Sequence, residues 1–191
     1  MSPLIRFGNG LGAGGLALVL AIGFGLQFVL SELPCPLCNL QRAAFALCGF
    51  GFVLNLRFGP QPGHYGLTLL AALFGLAVAG RQILLHIVPG TGAYGSPILG
   101  MHLYSWAAVL FLGVIAGVAV LMILSGTGRF DHVRSDALAA AHFAGFSRLM
   151  AWLLIVMTLG NALVSFAQCG PVECPDTPTS YWLVKYFSPG R

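Results

Sequence analysis

The chain has 191 residues, of which 58% are hydrophobic and only 7% are charged, and its formal net charge is +4. Soluble domains carry about a quarter charged residues, so this composition excludes an ordinary water-soluble protein and indicates one surrounded by membrane lipid. The basic residues are scattered and form no stripe, which argues against a nucleic-acid partner.

The predicted elements are five apolar stretches, each long enough to cross a bilayer core, which takes about 20 residues of helix. They predict an all-α membrane protein in which one integral membrane domain covers residues 1–191. The first stretch is too long and too rich in glycine for the apolar region of a signal peptide, so we expect it to be retained. The spans are predicted at about 11–30, 38–56, 67–88, 103–124 and 149–166, followed by a tail over 167–191.

The basic residues between these spans predict the orientation of the chain. Lys and Arg favour cytoplasmic loops, and the loops on one side carry Arg6, Arg57, Arg129, Arg134 and Arg148. We therefore expect the N-terminus in the cytoplasm and, after five crossings, the C-terminus outside it. Four crossings separate the cysteines before the second helix from those after the fifth. Both pairs are thus expected on the same, non-cytoplasmic side, where disulfides persist.

The first cysteine pair, Cys35 and Cys38, is a CxxC motif at the start of the second span. Pro34 and Pro36 cannot continue a helix backwards, so we expect Cys38 in the first turn, where free N–H groups and the helix dipole favour a thiolate. Arg42, four residues on, is expected on the same face, one turn deeper. The pattern favours redox chemistry. Alternatively, the two cysteines form a structural disulfide or half of a metal site. Arg42 could also only extend its charged end to the membrane interface.

The second pair, Cys169 and Cys174, encloses Gly170 and Pro171 in a polar tail. A disulfide here closes a small, water-exposed ring that suits attack by a thiolate, the alternative being a bridge that only pins the tail. The presence of another pair on the same side favours exchange between the two pairs. Cys48, in the middle of the second span, is expected to be a small buried residue outside the site.

Two polar residues of the third span, Arg81 and His86, are candidates for binding an electron acceptor. Ionisable residues inside a span are costly and often functional. Arg81 either lines the acceptor site, pairs with Glu32 or extends to the interface, and His86 either binds an acceptor oxygen or has a structural role. No Walker, GxSxG or HExxH motif occurs, so nothing indicates a nucleotide site or a hydrolase.

Two runs resemble the bacterial disulfide bond formation protein B family. They are residues 34–42, PCPLCNLQR, at the start of the second span, and residues 80–89, GRQILLHIVP, at the end of the third. The similarity covers about residues 11–124, and CxxC followed by Arg42 is its most specific element. The family comprises oxidases of the bacterial inner membrane that recharge periplasmic thioredoxin-like oxidants. The resemblance therefore implies an enzyme that generates protein disulfides, with its active side in the periplasm.

The resemblance also implies a four-helix transmembrane bundle, to which this chain adds a fifth helix, and a bound ubiquinone or menaquinone. By this resemblance Cys38 faces the quinone, Cys35 exchanges with the outer cysteine pair, and Arg42 belongs to the quinone site. We assign Arg81 and His86 to the same site on their position in the third span. No metal ligand is expected.

The chain departs from the family in the place of its second cysteine pair. In the family this pair usually lies between helices three and four, whereas here that loop, residues 89–102, has no cysteine and the pair follows the fifth helix. We expect electrons to pass from a thioredoxin-like partner to Cys169/Cys174, then to Cys35/Cys38 and to the quinone. One alternative is a thiol–quinone reductase of the vitamin K epoxide reductase type, which usually carries its CxxC late in the chain. The other is a non-enzymatic membrane protein with metal-binding or structural thiolates.

Overall fold

The structure, a computed structural model, describes residues 3–88, 90–95, 97–126, 137–172, 174–175 and 178–187, with the side chains of all of these except 126 and 137–143. These residues are largely helical, and they hold no strand beyond one isolated bridge between Ile98 and Met101. The helices are α1 (Pro3–Val29), α2 (Pro36–Phe58), α3 (Pro62–Leu85), α4 (Leu103–Gly126), α5 (Ala137–Cys169) and α6 (Trp182–Phe187).

Helices α1 to α5 are long and apolar enough to cross a membrane, which confirms the predicted number of spans. Their bounds differ from the prediction. Helix α1 begins at Pro3 rather than near residue 11, and α5 runs from Ala137 to Cys169 rather than over about residues 149–166. Helix α3 begins at Pro62 rather than near residue 67, because proline is well tolerated in the first turn of a helix. The orientation in the membrane stays a prediction, and Arg129 and Arg134, on which it partly rests, lie outside the described residues.

The helices form a bundle in which α1 lies between α2 and α5, α2 packs on α3, and α3 packs on α4. In its core the rings of Phe45 and Phe111 stack with their centroids 4.0 Å apart. Gly75 lets α4 approach α3 closely, because a Cβ at this position would meet the Phe111 ring. Helix α4 contacts α1 much less extensively than it contacts α3. A cleft therefore remains between α1 and α4.

Buried amides join α1, α2 and α3 at one end of the bundle. Asn55 is fully buried and donates to Asn9 Oδ1 at 2.9 Å, while its own Oδ1 accepts from the N–H of Gln61 at 3.1 Å and lies 3.0 Å from His64 Nδ1. Asn9 also donates to the hydroxyl of Tyr65 at 3.0 Å. Because a buried polar group without a partner is costly, this network fixes the relative positions of the three helices.

Candidate functional site

The CxxC motif forms the start of α2. Cys35 is the N-cap residue, with an extended backbone (φ −69°, ψ 166°), and its sulfur accepts a hydrogen bond from the N–H of Cys38 at 3.2 Å. Pro36 occupies the first turn, so the helix begins between the two cysteines, as the sequence predicts. Both are free thiols, Cys35 buried and Cys38 half-buried. The helix N-terminus turns its positive dipole end toward Cys38, which favours a negative charge on that sulfur.

Gln82 of α3 contacts both sulfur atoms of the motif. Its Nε2 lies 3.4 Å from Cys35 Sγ and 3.6 Å from Cys38 Sγ, and its Oε1 accepts from Gln41 Nε2 at 2.8 Å. The side chain is almost fully buried, so bulk solvent has little access to its amide. Gln82 is therefore the residue best placed to position the two thiols, and sequence reasoning did not select it.

Arg42 connects α2 to α1 through both arms of its guanidinium. One nitrogen donates to Gln27 Oε1 and the other to the carbonyl of Gly23, each at 2.7 Å. Gln27 is buried, and its Nε2 donates to the hydroxyl of Tyr181 at 3.0 Å. The planar fork of arginine suits two acceptors at fixed positions, so Arg42 holds α1 in place and is linked through Gln27 to the C-terminal tail.

A cavity of about 290 Å³ opens beside Cys38, in the cleft between α1 and α4. Beside Cys38, its polar lining comes mainly from Gln27, Gln41, Arg42 and Gln82, and Glu32 and Tyr94 also line it. Its other walls are mainly apolar and include Val19, Ile22, Leu26, Leu103, Ala107 and Leu110. A mostly apolar cavity with a few convergent polar groups is the usual form of a small-molecule site.

The loop between α3 and α4 closes over this cavity. The hydroxyl of Tyr94 donates to the carbonyl of Leu33, and His102 Nδ1 lies 3.2 Å from the carbonyl oxygen of Gly95. Burial raises the pKa of Tyr94 to about 12, and the neighbouring cysteines and Glu32 add to the effect. Tyr94 thus keeps its proton at neutral pH and remains a hydrogen-bond donor.

The second cysteine pair forms a disulfide at the end of α5. Cys169 is the last residue of the helix, and it is bonded to Cys174 with their Cα atoms 4.7 Å apart. Gly170 ends the helix with a positive φ of 65° and donates from its N–H to the carbonyl of Phe166 at 2.7 Å. A residue other than glycine is disfavoured there, because Gly170 also lies against the Trp182 ring. This turn reverses the chain and brings Cys174 back to Cys169.

The disulfide lies at the same end of the bundle as the CxxC motif. Asn39, the residue after Cys38, has its Nδ2 3.8 Å from Cys169 Sγ. Gln168 donates from Nε2 to the carbonyl of Pro34 at 2.7 Å. The end of α5 therefore contacts the residues directly before and after the motif, which confirms the prediction that the two pairs share one end of the molecule.

Arg81 and His86 lie outside the residues that line the cavity. Arg81 is exposed on the outer side of α3, whereas its neighbour Gln82 points into the bundle. The His86 ring packs edge-on against Tyr104, a cavity residue, with centroids 5.4 Å apart, and its Nδ1 is buried without a hydrogen-bond partner among the described residues. Their assignment to a quinone site stays a prediction.

The pKa of Cys35 is raised, first by hydrogen bonding with the side chain of Cys38 and second by burial, so Cys35 holds its proton more firmly than an ordinary thiol.

Cys48 is fully buried and contacts the carbonyl of Thr68 at 3.6 Å, as expected of a small buried residue. Within the part of the chain that the structure describes, no three His, Cys, Asp or Glu side chains converge as metal ligands.

Comparisons with known proteins point to one family. The family model described as "Disulfide bond formation protein DsbB" matches residues 6–93, which include CxxC, Arg42 and Gln82. A disulfide bond formation protein B of Marinobacter nauticus is 33% identical over 141 residues, covering 54% of this chain and 84% of that protein. A disulfide bond formation protein B of Hahella chejuensis is 31% identical over 159 residues, with 80% and 86% covered.

A third relative matches over a still longer part of the chain. The disulfide bond formation protein B 2 of Pseudomonas syringae pv. syringae is 32% identical over 175 residues, which cover 87% of this chain and 86% of that protein. No solved structure matches the chain. The family model ends shortly after α3, so α5 and its disulfide lie outside the matched residues.

Proposed function

The chain belongs to the disulfide bond formation protein B family, and from this premise we propose that it is a membrane thiol:quinone oxidoreductase that reoxidises a periplasmic thioredoxin-like protein. Family membership makes it a membrane protein of disulfide bond formation. The single observation that carries the finer proposal is the contact of Asn39 with Cys169, because it puts a second, oxidised pair next to the CxxC motif. Two dithiol/disulfide couples so arranged can exchange with each other.

The cavity beside Cys38 suits ubiquinone or menaquinone as the electron acceptor. Its apolar walls suit the ring and the isoprenoid tail of a quinone. Its opening between α1 and α4 would let the quinone enter from the lipid. Arg42 and Gln41 supply the hydrogen-bond donors that would hold a quinone oxygen. When bound, the quinone supplies the oxidising power, since it accepts two electrons and two protons.

The first exchange occurs between the partner and the disulfide of α5. A thiolate of the reduced partner attacks Cys174, the bond between Cys169 and Cys174 breaks, and Cys169 leaves as a thiolate. The second thiol of the partner then breaks the mixed disulfide at Cys174. The partner leaves with a disulfide, and its two electrons remain on Cys169 and Cys174.

The second exchange passes these electrons to the CxxC motif in its oxidised form. The Cys169 thiolate attacks Cys35, and Cys38 leaves as a thiolate, which the helix N-terminus and the Nε2 of Gln82 stabilise. Cys174 then attacks Cys169, which restores the outer disulfide and releases Cys35 as a thiol. The outcome is an oxidised outer pair beside a reduced inner pair, the pairing found in the structure.

The positions of the two outer cysteines suggest which of them meets the partner. Cys169 ends α5 and contacts Asn39, so it faces the CxxC motif, whereas Cys174 lies in the tail. A thioredoxin-like protein whose second CxxC cysteine is replaced by serine attacks the outer disulfide and remains attached. We expect peptide mapping of that adduct by mass spectrometry to show attachment at Cys174. Attachment at Cys169 would reverse the assignment.

The activity is tested by anaerobic reduction of a soluble quinone analogue with a reduced thioredoxin-like protein as donor. The wild-type protein is expected to catalyse the reaction, and Cys38→Ser to abolish it, because that variant cannot form the inner disulfide. Cys48→Ala is the matched control, since Cys48 is buried away from the site, and it should retain activity. Quinone reduction that persists in Cys38→Ser contradicts the proposal.

We also propose the bacterial inner membrane as the location, with the N-terminus in the cytoplasm and both cysteine pairs at the periplasmic face. The excess of basic residues at the opposite end of the bundle supports this orientation. In intact cells treated with a reductant, a maleimide that cannot cross the inner membrane should label Cys174. Labelling of Cys174 that occurs only after the inner membrane is broken would show that the orientation is the opposite of the one proposed.

A further inference from the structure

A second cleft, of about 500 Å³, lies at the end of the bundle remote from the CxxC motif. Three helices meet there, and each contributes one arginine: Arg6 from α1, Arg57 from α2 and Arg148 from α5. This cleft takes no part in the proposed thiol chemistry. It also depends on α5, the helix that this chain has in addition to the four-helix bundle.

The three guanidinium groups have no acidic counterpart among the described residues. Glu32 is the only Asp or Glu in that part of the chain, and it lines the other cavity, beside Cys38. Asp131 and Asp136 lie outside the described residues. Within the described cleft, three positive charges therefore converge without a carboxylate, an arrangement that attracts an anion.

The walls of this cleft change from polar to apolar. Beside the arginines lies Ser147, whose hydroxyl donates to the carbonyl of Arg6 at 3.2 Å. The remaining lining is almost wholly apolar and consists of Val53, Leu56, Ala144, Ala151, Trp152 and Ile155. Trp152 is 61% exposed in the structure, as suits a tryptophan that lies against lipid near the membrane interface. The cleft thus combines a cationic part, formed by the three arginines, with an adjoining apolar part.

We propose that this cleft is a binding site for the headgroup of an anionic phospholipid. Arginine pairs with phosphate through two parallel hydrogen bonds, and basic clefts between transmembrane helices are suited to anionic headgroups. The phosphate lies among Arg6, Arg57 and Arg148, and an acyl chain runs along Trp152 and Ile155. The lipid therefore contacts α5 and both of the helices beside it, and it holds the fifth helix against the bundle.

The test is native mass spectrometry of the full-length protein in detergent, titrated with cardiolipin, phosphatidylglycerol or phosphatidylethanolamine. We expect one high-affinity site for cardiolipin or phosphatidylglycerol. The double variant Arg57→Gln/Arg148→Gln should weaken binding by about fivefold for each arginine removed, which corresponds to about 1 kcal/mol each. Both side chains are exposed, so their replacement leaves the core intact. The matched control is Arg81→Gln, an exposed arginine of α3 outside the cleft, which should bind lipid as the wild type does.

Three results would overturn the proposal. The first is equal affinity for cardiolipin and phosphatidylethanolamine, and the second is unchanged lipid binding by the double variant. The third is competition by inorganic phosphate at the concentration of the lipid, which would identify a site for free phosphate instead. If the double variant does not fold, the single variant Arg148→Gln is tested instead. A loss of about fivefold in lipid affinity supports the lipid site, and an unchanged affinity contradicts it.

Discussion

Asn39 Nδ2 lies 3.8 Å from the sulfur of Cys169, so the residue that follows the CxxC motif touches the disulfide at the end of α5. The other end of the same amide is also engaged, since Ser165 donates from its hydroxyl to Asn39 Oδ1 at 3.2 Å. An amide held at both ends has little freedom to rotate, so α5 is fixed against the start of α2. In this way a fifth helix brings a second cysteine pair to the motif without a cysteine in the loop between α3 and α4.

The variant Asn39→Ala tests this contact. It removes one hydrogen bond to sulfur and one from Ser165, and a typical hydrogen bond contributes about 0.5–1.5 kcal/mol. We expect quinone reduction with the protein donor to slow by roughly two- to tenfold, because the outer pair is held less firmly beside Cys35. Ser165→Ala removes only the contact to Oδ1 and should have the smaller effect. Equal rates for Asn39→Ala and the wild type would show that the contact does not assist the exchange.

A second prediction concerns Gln82, which donates to both sulfur atoms of the motif. The variant Gln82→Leu keeps the approximate volume but removes these donors and leaves Gln41 without its acceptor. A hydrogen bond to a charged group contributes about 1.5–3 kcal/mol, and Gln82 donates to the Cys38 sulfur that leaves as a thiolate, so we expect turnover to fall by about tenfold or more. Steady-state kcat with a saturating thiol donor is the measurement, and thermal unfolding checks that the variant is folded.

The comparison that decides between adjacent positions is Gln82→Leu against Arg81→Gln. The sequence singled out Arg81 for the acceptor site, whereas in the structure Gln82 faces the thiols and Arg81 is exposed. The larger loss is therefore expected for Gln82→Leu. A larger loss for Arg81→Gln would favour the assignment made from the sequence.

Several features of this molecule follow from local sequence pattern alone. Apolar length predicts the five spans, and the prolines around Cys35 predict the start of α2. The count of crossings between the cysteine pairs places them at one end of the bundle. Each of these inferences depends on residues close together in the chain or on the parity of the spans, so no knowledge of packing is needed.

The contacts that shape the cavity do not follow from such patterns. Gln27 and Tyr181 are far apart in sequence, and their hydrogen bond depends on how the tail returns to α1. The choice between Arg81 and Gln82 depends on the rotation of α3 about its axis. In a soluble helix an apolar stripe reveals that rotation, but a helix in lipid is apolar on most faces. Only the packed structure shows which of the two side chains points inward.

A third prediction uses the raised pKa of Cys35. Iodoacetamide reacts with the thiolate, so a raised pKa means that Cys35 forms less thiolate at a given pH than an ordinary cysteine does. Its rate of alkylation should therefore rise only above the usual range, which is near pH 8.5. Peptide mass spectrometry across a pH series measures the midpoint of this rise independently of how slowly a buried thiol reacts.

The variant Cys38→Ala provides the control for this titration. It removes the hydrogen bond that is the main cause of the raised pKa and leaves burial largely in place. The midpoint for Cys35 is expected to move down toward the ordinary value. An ordinary midpoint already in the wild-type protein would contradict the prediction.

A fourth prediction concerns the tail. Tyr181 accepts a hydrogen bond from Gln27, which in turn accepts from Arg42, so the tail is connected to the wall of the cavity. Tyr181→Phe removes only the hydroxyl and should destabilise the docked tail by about 0.5–1.5 kcal/mol. Amide hydrogen exchange in residues 178–187 is expected to become faster by about two- to tenfold. Tyr186→Phe, an exposed tyrosine of the same tail, is the matched control. Equal exchange in the two variants would show that the Gln27 contact does not hold the tail.

The last prediction concerns stability at the end of the bundle remote from the cysteines. Asn55 is fully buried and forms hydrogen bonds with Asn9, Gln61 and His64. Asn55→Leu leaves several of these groups without a partner, and each such group costs about 1–3 kcal/mol when buried. We expect a loss of roughly 3 kcal/mol in the free energy of unfolding, measured by thermal or denaturant unfolding in detergent. The molecules that stay folded should retain quinone reduction, because the network lies far from CxxC.

Asn161 offers a matched control for this effect. It is also a buried asparagine, but its Nδ2 donates only to the carbonyl of Met157 within its own helix, and its Oδ1 has no partner among the described residues. Asn161→Leu removes an unsatisfied oxygen and leaves no distant group unpaired, so it should be close to neutral or slightly stabilising. If Asn161→Leu and Asn55→Leu destabilise the protein equally, the cost arises from burying leucine at these positions, and the network of Asn55 contributes nothing specific.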